Sequence, residues 1–309
     1  MRTVCYLMSH PAHLPYLTVS LLSLRRYWGG PIVVMAWRES WGIVERMSRD
    51  PHLEFSAVKR EPAYRGKNDQ FLDKIKAVED GEQFGDVLLY LDADTSIHGH
   101  IHPIFDAAEV AGFAATQWND WFTSSGLARG RIESLREFPN IDPDLITMAV
   151  QDKLPSVNGG VWAARPESPV LPFWHENTCH AKSTFIADEK VLHLAVARYA
   201  KSGNLKVMAG GRWNCSPKFQ PKNLRDEDVV IRHYHGDSSV RPDKSQKGYD
   251  IWWPMFQEAL DANIGGINAW IDGVGNRWLD KLKAGTPEEI TVTEVDRETA
   301  ASICDPGDI

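Results

Sequence analysis

The chain has 309 residues, 43% hydrophobic and 25% charged, enough for a substantial core in one large domain or two intimate ones. A formal net charge of -8 argues against affinity built on non-specific contact with a nucleic-acid backbone, while leaving room for a local basic groove. Cys5, Cys179, Cys215 and Cys304 lie far apart with no C-x-x-C, which points away from a zinc knuckle or a disulfide framework, and no apolar run approaches the length of a membrane span. A soluble, cytoplasmic protein with reduced thiols is the expectation.

In chain order, Thr3 to Met8 reads as a buried strand, followed by a Ser9-His10-Pro11 turn and an apolar-periodic helix from Leu14 to Tyr27. A strand over Pro31 to Trp37, a helix over Trp41 to Arg49 and a short strand over Leu53 to Val58 come next. After a basic loop (59 to 67), a helix from about Asn68 to Glu79 gathers Phe71, Leu72, Ile75 and Val78 on one face. The apolar run Val87 to Leu91 then ends in Asp92-Ala93-Asp94-Thr95. This β-α-β-α-β-α-β opening predicts an α/β fold, a mainly parallel sheet flanked by helices, with ligands beyond the carboxyl ends of the strands.

Farther on, Gly112 to Trp118 reads as a strand, Asn119 to Leu154 as a mixed flap or insertion, and Ser156 to Ala164 as a strand containing Asn158-Gly159-Gly160. A helix is expected from about Asp188 to Ala200, short strands at Lys206 to Ala209 and Val229 to His233, and a helical segment from Tyr249 to Leu282 before a polar tail.

Alternation along an extended chain places Asp92 and Asp94 on the same side, where both carboxylates can reach one hard divalent cation, and that cation could hold a diphosphate. An isolated D-x-D more often closes a strand in a polar turn, so its weight depends on partners elsewhere. Ile231-Arg232-His233-Tyr234-His235-Gly236 supplies imidazoles at a strand end, with Arg241 and Lys244 close behind to meet phosphate oxygens. Alone, His233 would read as a structural histidine. The alternating His98, His100 and His102 follow a turn rather than a core run and are expected to be structural too. Trp118, Trp121 and Trp213 fall near strand ends where indoles could stack on sugar rings, while Trp252, Trp253, Trp270 and Trp278 are expected to pack C-terminal helices onto the sheet or to form a partner surface. The basic loop could also receive an anionic acceptor.

In order, Leu91-Asp92-Ala93-Asp94-Thr95, Val157-Asn158-Gly159-Gly160-Val161, Asp188-Glu189-Lys190-Val191-Leu192 and His233-Tyr234-His235-Gly236 with Arg241-Pro242 resemble the motifs of family 8 glycosyltransferases, the group of glycogenin and the bacterial lipooligosaccharide galactosyltransferases. The resemblance spans about residues 3 to 245 as spaced motifs, and the ordered set is far more specific than any member. It implies a GT-A (nucleotide-diphospho-sugar transferase) catalytic domain over 1–245, with a donor-binding half at about 1–118 and an acceptor-side half at about 119–245, followed by a C-terminal helical extension and polar tail over 246–309. Asp92, Asp94 and His233 would bind Mn²⁺ or Mg²⁺ holding the diphosphate of a nucleotide sugar, UDP-glucose or UDP-galactose by family analogy. Lys74 matches the family's donor-contacting basic residue. Ser9 and His10 stand where the nucleoside is held, with His13 or Tyr16 placed to stack on the base. Arg241 takes the place of a phosphate-binding lysine, with Gly236, Lys244 and Ala93 beside the donor. Asn158, Gly159 and Gly160 would line the donor sugar or acceptor side. Asp188 opens a helix facing the anomeric centre, and Glu189 replaces the family's glutamine.

The resemblance therefore implies a metal-dependent hexosyltransferase acting with retention. Its acceptor stays open among a saccharide, a lipid-linked glycan, a protein, a small molecule and a modified nucleobase, as does the oligomeric state. Asp188 also suits a helix N-cap. Two rivals stand beside this reading. Asp92-Ala93-Asp94-Thr95 resembles the first motif of haloacid dehalogenase-type phosphatases, although three strands precede it here. A nucleotide-sugar-binding protein without turnover is compatible with Glu189.

Overall fold

The structure, a computed structural model, describes residues 1–63, 69–234 and 247–272. Its strands are β1 (Arg2–Met8), β2 (Ile32–Ala36), β3 (Ser56–Lys59), β4 (Val87–Leu91), β5 (Thr95–Ile97), β6 (Phe113–Phe122), β7 (Pro155–Ala164), β8 (Lys206–Met208) and β9 (Ile231–His233). The helices are α1 (Leu14–Arg25), α2 (Arg38–Met47), α3 (Asp69–Glu79), α4 (His102–Ala111), α5 (Gly126–Glu133), α6 (Pro143–Gln151), α7 (Val170–Ala181), α8 (Ala187–Tyr199), α9 (Lys247–Asp261) and α10 (Ile267–Trp270).

Seven strands form one sheet in the order β3-β2-β1-β4-β7-β6-β8. The first four are mutually parallel, β7 runs against both of its neighbours, and β8 pairs parallel with β6. A sheet covered on both faces needs strands that are apolar on both sides, which is why β1 and β4 read as continuous hydrophobic runs. Their alternation splits two cores. Val4, Tyr6, Met8, Val87, Leu89 and Leu91 pack with α1, α2, α4, α9 and α10, whereas Cys5, Leu7, Leu88 and Tyr90 pack with α3, α6, α7 and α8.

The C-terminal tryptophans belong to the first of these cores. Trp252 is fully buried, stacks on Phe256 at 4.7 Å between ring centroids and meets Tyr16 at 5.6 Å; Trp270 is buried as well. The expected helical segment is thus seen as α9 and α10, and Trp278 lies outside the described residues.

Two helices escaped the sequence reading although both ends of one are signposted. α4 begins with Pro103 in its first turn and stops at Gly112, whose φ of 80° is a left-handed cap. α7 was also missed; its N-cap, Pro169, forms no side-chain cap bond. The 119–154 stretch holds α5, α6 and a short 3-10 turn between β6 and β7. No helix among the described residues is long and apolar enough to cross a membrane.

A two-stranded antiparallel ribbon, β5 with β9, sits at the end of β4. Its register sets Thr95 opposite His233, and the Tyr234 N–H donates to the Asp94 carbonyl at 2.8 Å. β7, running antiparallel to β4, places the Gly160 carbonyl where the Asp92 N–H donates to it at 2.8 Å. Three distant stretches of sequence thereby meet at the carboxyl end of β4.

Candidate active site

β4 stops at Leu91, so Asp92-Ala93-Asp94 is a turn leading into β5 and not the end of an extended strand. The turn, rather than strand alternation, brings the carboxylates together. One ligand atom from each of Asp92, Asp94 and His233 lies within 4.8 Å of the others, the only such group of three or more potential ligands among the described residues. His233 Nε2 is 3.2 Å from Asp94 Oδ1 and 3.7 Å from Asp92 Oδ2.

Burial alone would lower the His233 imidazole, but the facing Asp94 and Asp92 carboxylates outweigh it and hold it above its ordinary value. Burial pushes the Asp92 carboxyl up, against Lys74 and His233. A place that draws a proton onto a buried imidazole favours positive charge between the three groups. Two hard oxygens and an imidazole nitrogen suit Mn²⁺ or Mg²⁺. The residues present therefore fit a divalent cation.

The orientation of His233 comes from a residue the sequence reading did not single out. Its Nδ1–H donates to Asn214 Oδ1 at 2.9 Å. Asn214 Nδ2 in turn donates to Thr116 Oγ1 at 2.9 Å and Asn158 Oδ1 at 3.2 Å, and Asn158 Nδ2 donates to Glu189 Oε2 at 2.8 Å. With its amide nitrogen spent on two acceptors, Asn214 can present only its oxygen to the ring, which fixes the tautomer and turns Nε2 toward the carboxylates. No local signal marks Asn214: it sits in an irregular segment between β8 and β9, with Cys215 bridged to Arg232.

Lys74 of α3 is buried and pairs with Asp188 Oδ2 at 2.6 Å, with Asp92 Oδ2 4.0 Å away. Burial works against its charge, but Asp188 and Asp92 raise the ammonium above its ordinary value, so it is a cation. The cap of α8 is Ile186, in the left-handed region at φ 52° with no side-chain cap bond, so Asp188 does not take the N-cap role. Asp188 Oδ1 is buried with no hydrogen-bond partner. Glu189 is held at both oxygens, by Arg131 Nη1 at 2.6 Å and by Asn158; burial nevertheless keeps its carboxyl above the ordinary range. Arg131 comes from α5, inside the stretch read as a flap.

The glycines of β7 are a steric requirement. A Cβ on Gly159 would stand 2.7 Å from Asp188 Oδ2 and 3.1 Å from Lys74 Nζ; one on Gly160 would stand 2.7 Å from Asp92 Oδ2 and collide with the His233 ring. Only glycine lets β7 pass this close to the charged groups.

These groups line a cleft of about 350 Å³, which brings together Lys74, Asp92, Asp94, Asn158, Gly159, Gly160, Asp188, Glu189 and His233. Aromatic residues complete it: Trp118, Phe219, Phe71 and Phe185. Ser9, His10 and His13 are not among its lining. They follow β1, where His10 Nδ1 accepts from the Ala12 N–H at 3.1 Å. Tyr16 packs on Trp252, and Trp213 lies against the Arg212 guanidinium rather than in the cleft. His98 bonds Ser96, while His100 and His102 pack on Tyr27 and Trp28, so those three imidazoles do not converge. His235, Gly236, Arg241, Lys244 and residues 64–68 of the basic loop lie outside the described residues.

A parallel sheet with one reversed strand, carrying a carboxylate turn at the end of its central parallel strand, has the architecture of the GT-A type of α/β fold. Among solved structures the chain is similar in fold to the galactosyltransferase LgtC in complex with donor and acceptor sugar analogues, with a TM-score of 0.53, 15% sequence identity, and 83% of this chain and 95% of that chain covered. No protein-family model matches the sequence, and no curated protein matches it.

Proposed function

We propose that the protein is a metal-dependent glycosyltransferase that moves a hexose from a UDP-sugar to an acceptor hydroxyl with retention. The observation that carries this reading is the convergence of Asp92, Asp94 and His233 at one end of a cleft in a fold shared with a galactosyltransferase. When bound, a divalent cation supplies positive charge to the donor diphosphate as the sugar–phosphate bond breaks.

The chain's own residues do the rest. Asp92 and Asp94 hold the cation with His233, whose ring Asn214 orients. Lys74, kept charged by Asp188, sets a fixed positive group beside the carboxylate turn, where the leaving phosphate gains charge. The unpartnered Asp188 Oδ1 is available to accept from a donor-sugar hydroxyl or to face positive charge growing at the anomeric carbon. Gly159 and Gly160 keep β7 free of side chains there. In the overall change, the bond from the anomeric carbon to the phosphate oxygen breaks, the acceptor oxygen bonds that carbon on the same face, and the acceptor proton leaves with the phosphate oxygen. The resemblance gives Arg241 and Lys244 to the phosphates.

The test is calorimetry and thermal shift of the purified protein with nucleoside diphosphates and their sugars in Mn²⁺, Mg²⁺ or EDTA, followed by NMR of the product anomer. Metal-dependent binding of UDP that disappears in Asp94→Ala, with the fold intact, is the expected result. UDP affinity in Mn²⁺ that Asp94→Ala leaves unchanged removes the metal assignment, and binding without hydrolysis or transfer of any sugar removes the enzyme.

A further inference from the structure

Part of the cleft lining, Ser216, Lys218 and Phe219 with Trp118 and Arg131, takes no part in the carboxylate and imidazole cluster. Ser216 occupies the N-cap position of a 3-10 turn, Pro217–Phe219, a place where serine ordinarily accepts a bond from the backbone. Here the hydroxyl forms no cap bond; it is fully buried, lines the cleft and has no hydrogen-bond partner. A buried hydroxyl with no partner is destabilising unless something meets it.

Two cations line the same cleft in a row with aromatic rings. The Arg131 guanidinium lies 5.9 Å over Trp118, Trp118 meets Phe219 edge-on at 5.4 Å, and Lys218 Nζ lies 5.3 Å over Phe219. Lys218 is exposed and has no acidic partner among the described residues. Arg131 spends only Nη1, on Glu189, leaving further N–H groups for the cleft. In the same lining, Phe185 is 70% exposed and packs edge-on against Phe71 at 6.3 Å. The exposed Phe185 ring suits a pyranose or other flat apolar surface, a hydroxyl suits a polar substituent, and an unspent cation suits an anion.

We infer that this wall is the acceptor subsite and that it takes an anionic acceptor, a sugar-like ring carrying a carboxylate or phosphate that meets Lys218 and the spare N–H groups of Arg131. This rests on the transferase reading above and adds the substrate class to it. The two anions share the chemistry of an oxygen cluster facing a cation, and the test separates them.

The probes are methyl α-D-glucuronoside, its neutral counterpart methyl α-D-glucoside, and glucose 6-phosphate, each titrated into the full chain with Mn²⁺ and UDP and followed by ligand-observed NMR. The charged probes should bind at least about tenfold more tightly than the neutral one, the advantage shrinking with added salt, and the tighter of the two identifies the anion. In Lys218→Ala the advantage should fall below about threefold, with the thermal midpoint as the folding check. Equal affinity of charged and neutral probes overturns the inference, as does a charge advantage that survives in Lys218→Ala. Failure of UDP to bind in any metal, together with a Lys218-dependent preference for the anion, would leave this subsite standing and remove the transferase reading.

Discussion

His233 donates from Nδ1 to Asn214 Oδ1 at 2.9 Å, and that single bond decides which edge of the imidazole faces Asp92 and Asp94. The same asparagine reaches Asn158 and, through it, Glu189, so His233 and Glu189 share one hydrogen-bond chain.

Asn214→Ala leaves the buried Nδ1–H without its acceptor and frees the ring to turn. Mn²⁺ affinity, read by electron paramagnetic resonance without nucleotide, should fall about 10- to 100-fold, the range for outer-shell partners of ligating histidines. Asn214→Asp retains the acceptor and should lose less. Unchanged Mn²⁺ binding in Asn214→Ala would show that the ring is held by other means.

Gly160→Ala forces a methyl group onto the His233 ring and to within 2.7 Å of Asp92 Oδ2. Overpacking of this kind typically costs about 1–3 kcal/mol, and here the groups displaced are the proposed metal ligands. Loss of Mn²⁺ binding with a lower unfolding midpoint is expected by titration and urea denaturation. Wild-type binding would mean that β7 stands farther from β4 than described.

Lys74→Met removes the partner of a buried carboxylate. Breaking a buried pair from one side costs about 3–5 kcal/mol, whereas replacing both partners with apolar groups can be close to neutral. Lys74→Met should therefore be strongly destabilised and Lys74→Met/Asp188→Leu should recover much of the loss, as measured in a double-mutant cycle by urea denaturation. A single-variant cost below about 1 kcal/mol would mean that the pair is solvated and not buried.

His193, buried beneath the cleft, titrates in the opposite sense to His233. Its Nδ1–H donates to the Glu189 carbonyl at 2.7 Å and its Nε2 accepts from the Val157 N–H at 3.3 Å, so protonation would set two donors against each other. Burial holds it down at about 4, against an ordinary 6.5. A folded value below the unfolded one means that the unfolded chain takes up the proton first. The contribution is complete above about pH 6.5, declines as the pH falls toward 4 and is gone below that, on the order of 3 kcal/mol in all. His193→Gln should flatten the stability curve across that window, measured by urea denaturation at stepped pH; an unchanged slope would place the titration elsewhere.

Much of the fold was legible because local pattern and tertiary role coincide. β1, β2 and β4 are buried on both faces, so their sequences are largely apolar runs that can be read without partners. The carboxylate pair announces itself as the abrupt polar end of such a run. His233 could be named because it, too, closes a short apolar strand. The order of these motifs along the chain carried the resemblance that pointed to the class of fold.

What the sequence could not determine is everything fixed by pairing across long separations. The 95–97 and 231–233 strands are too short to be read as a ribbon, yet their register alone puts His233 beside Asp94. The turn at Asp92-Ala93-Asp94, the Lys74–Asp188 pair and the Arg131–Glu189 pair arise from elements that meet only when the sheet and its helices close. Asn214, Ser216 and Lys218 sit in irregular backbone, where no periodicity marks a residue and a side chain's partner depends on three-dimensional proximity. Local pattern is enough to show which strands are buried and that acidic and imidazole side chains close two of them. Which of those groups share one cleft depends on the closed fold, because side-chain contact is a short-range force acting between residues that the chain holds far apart.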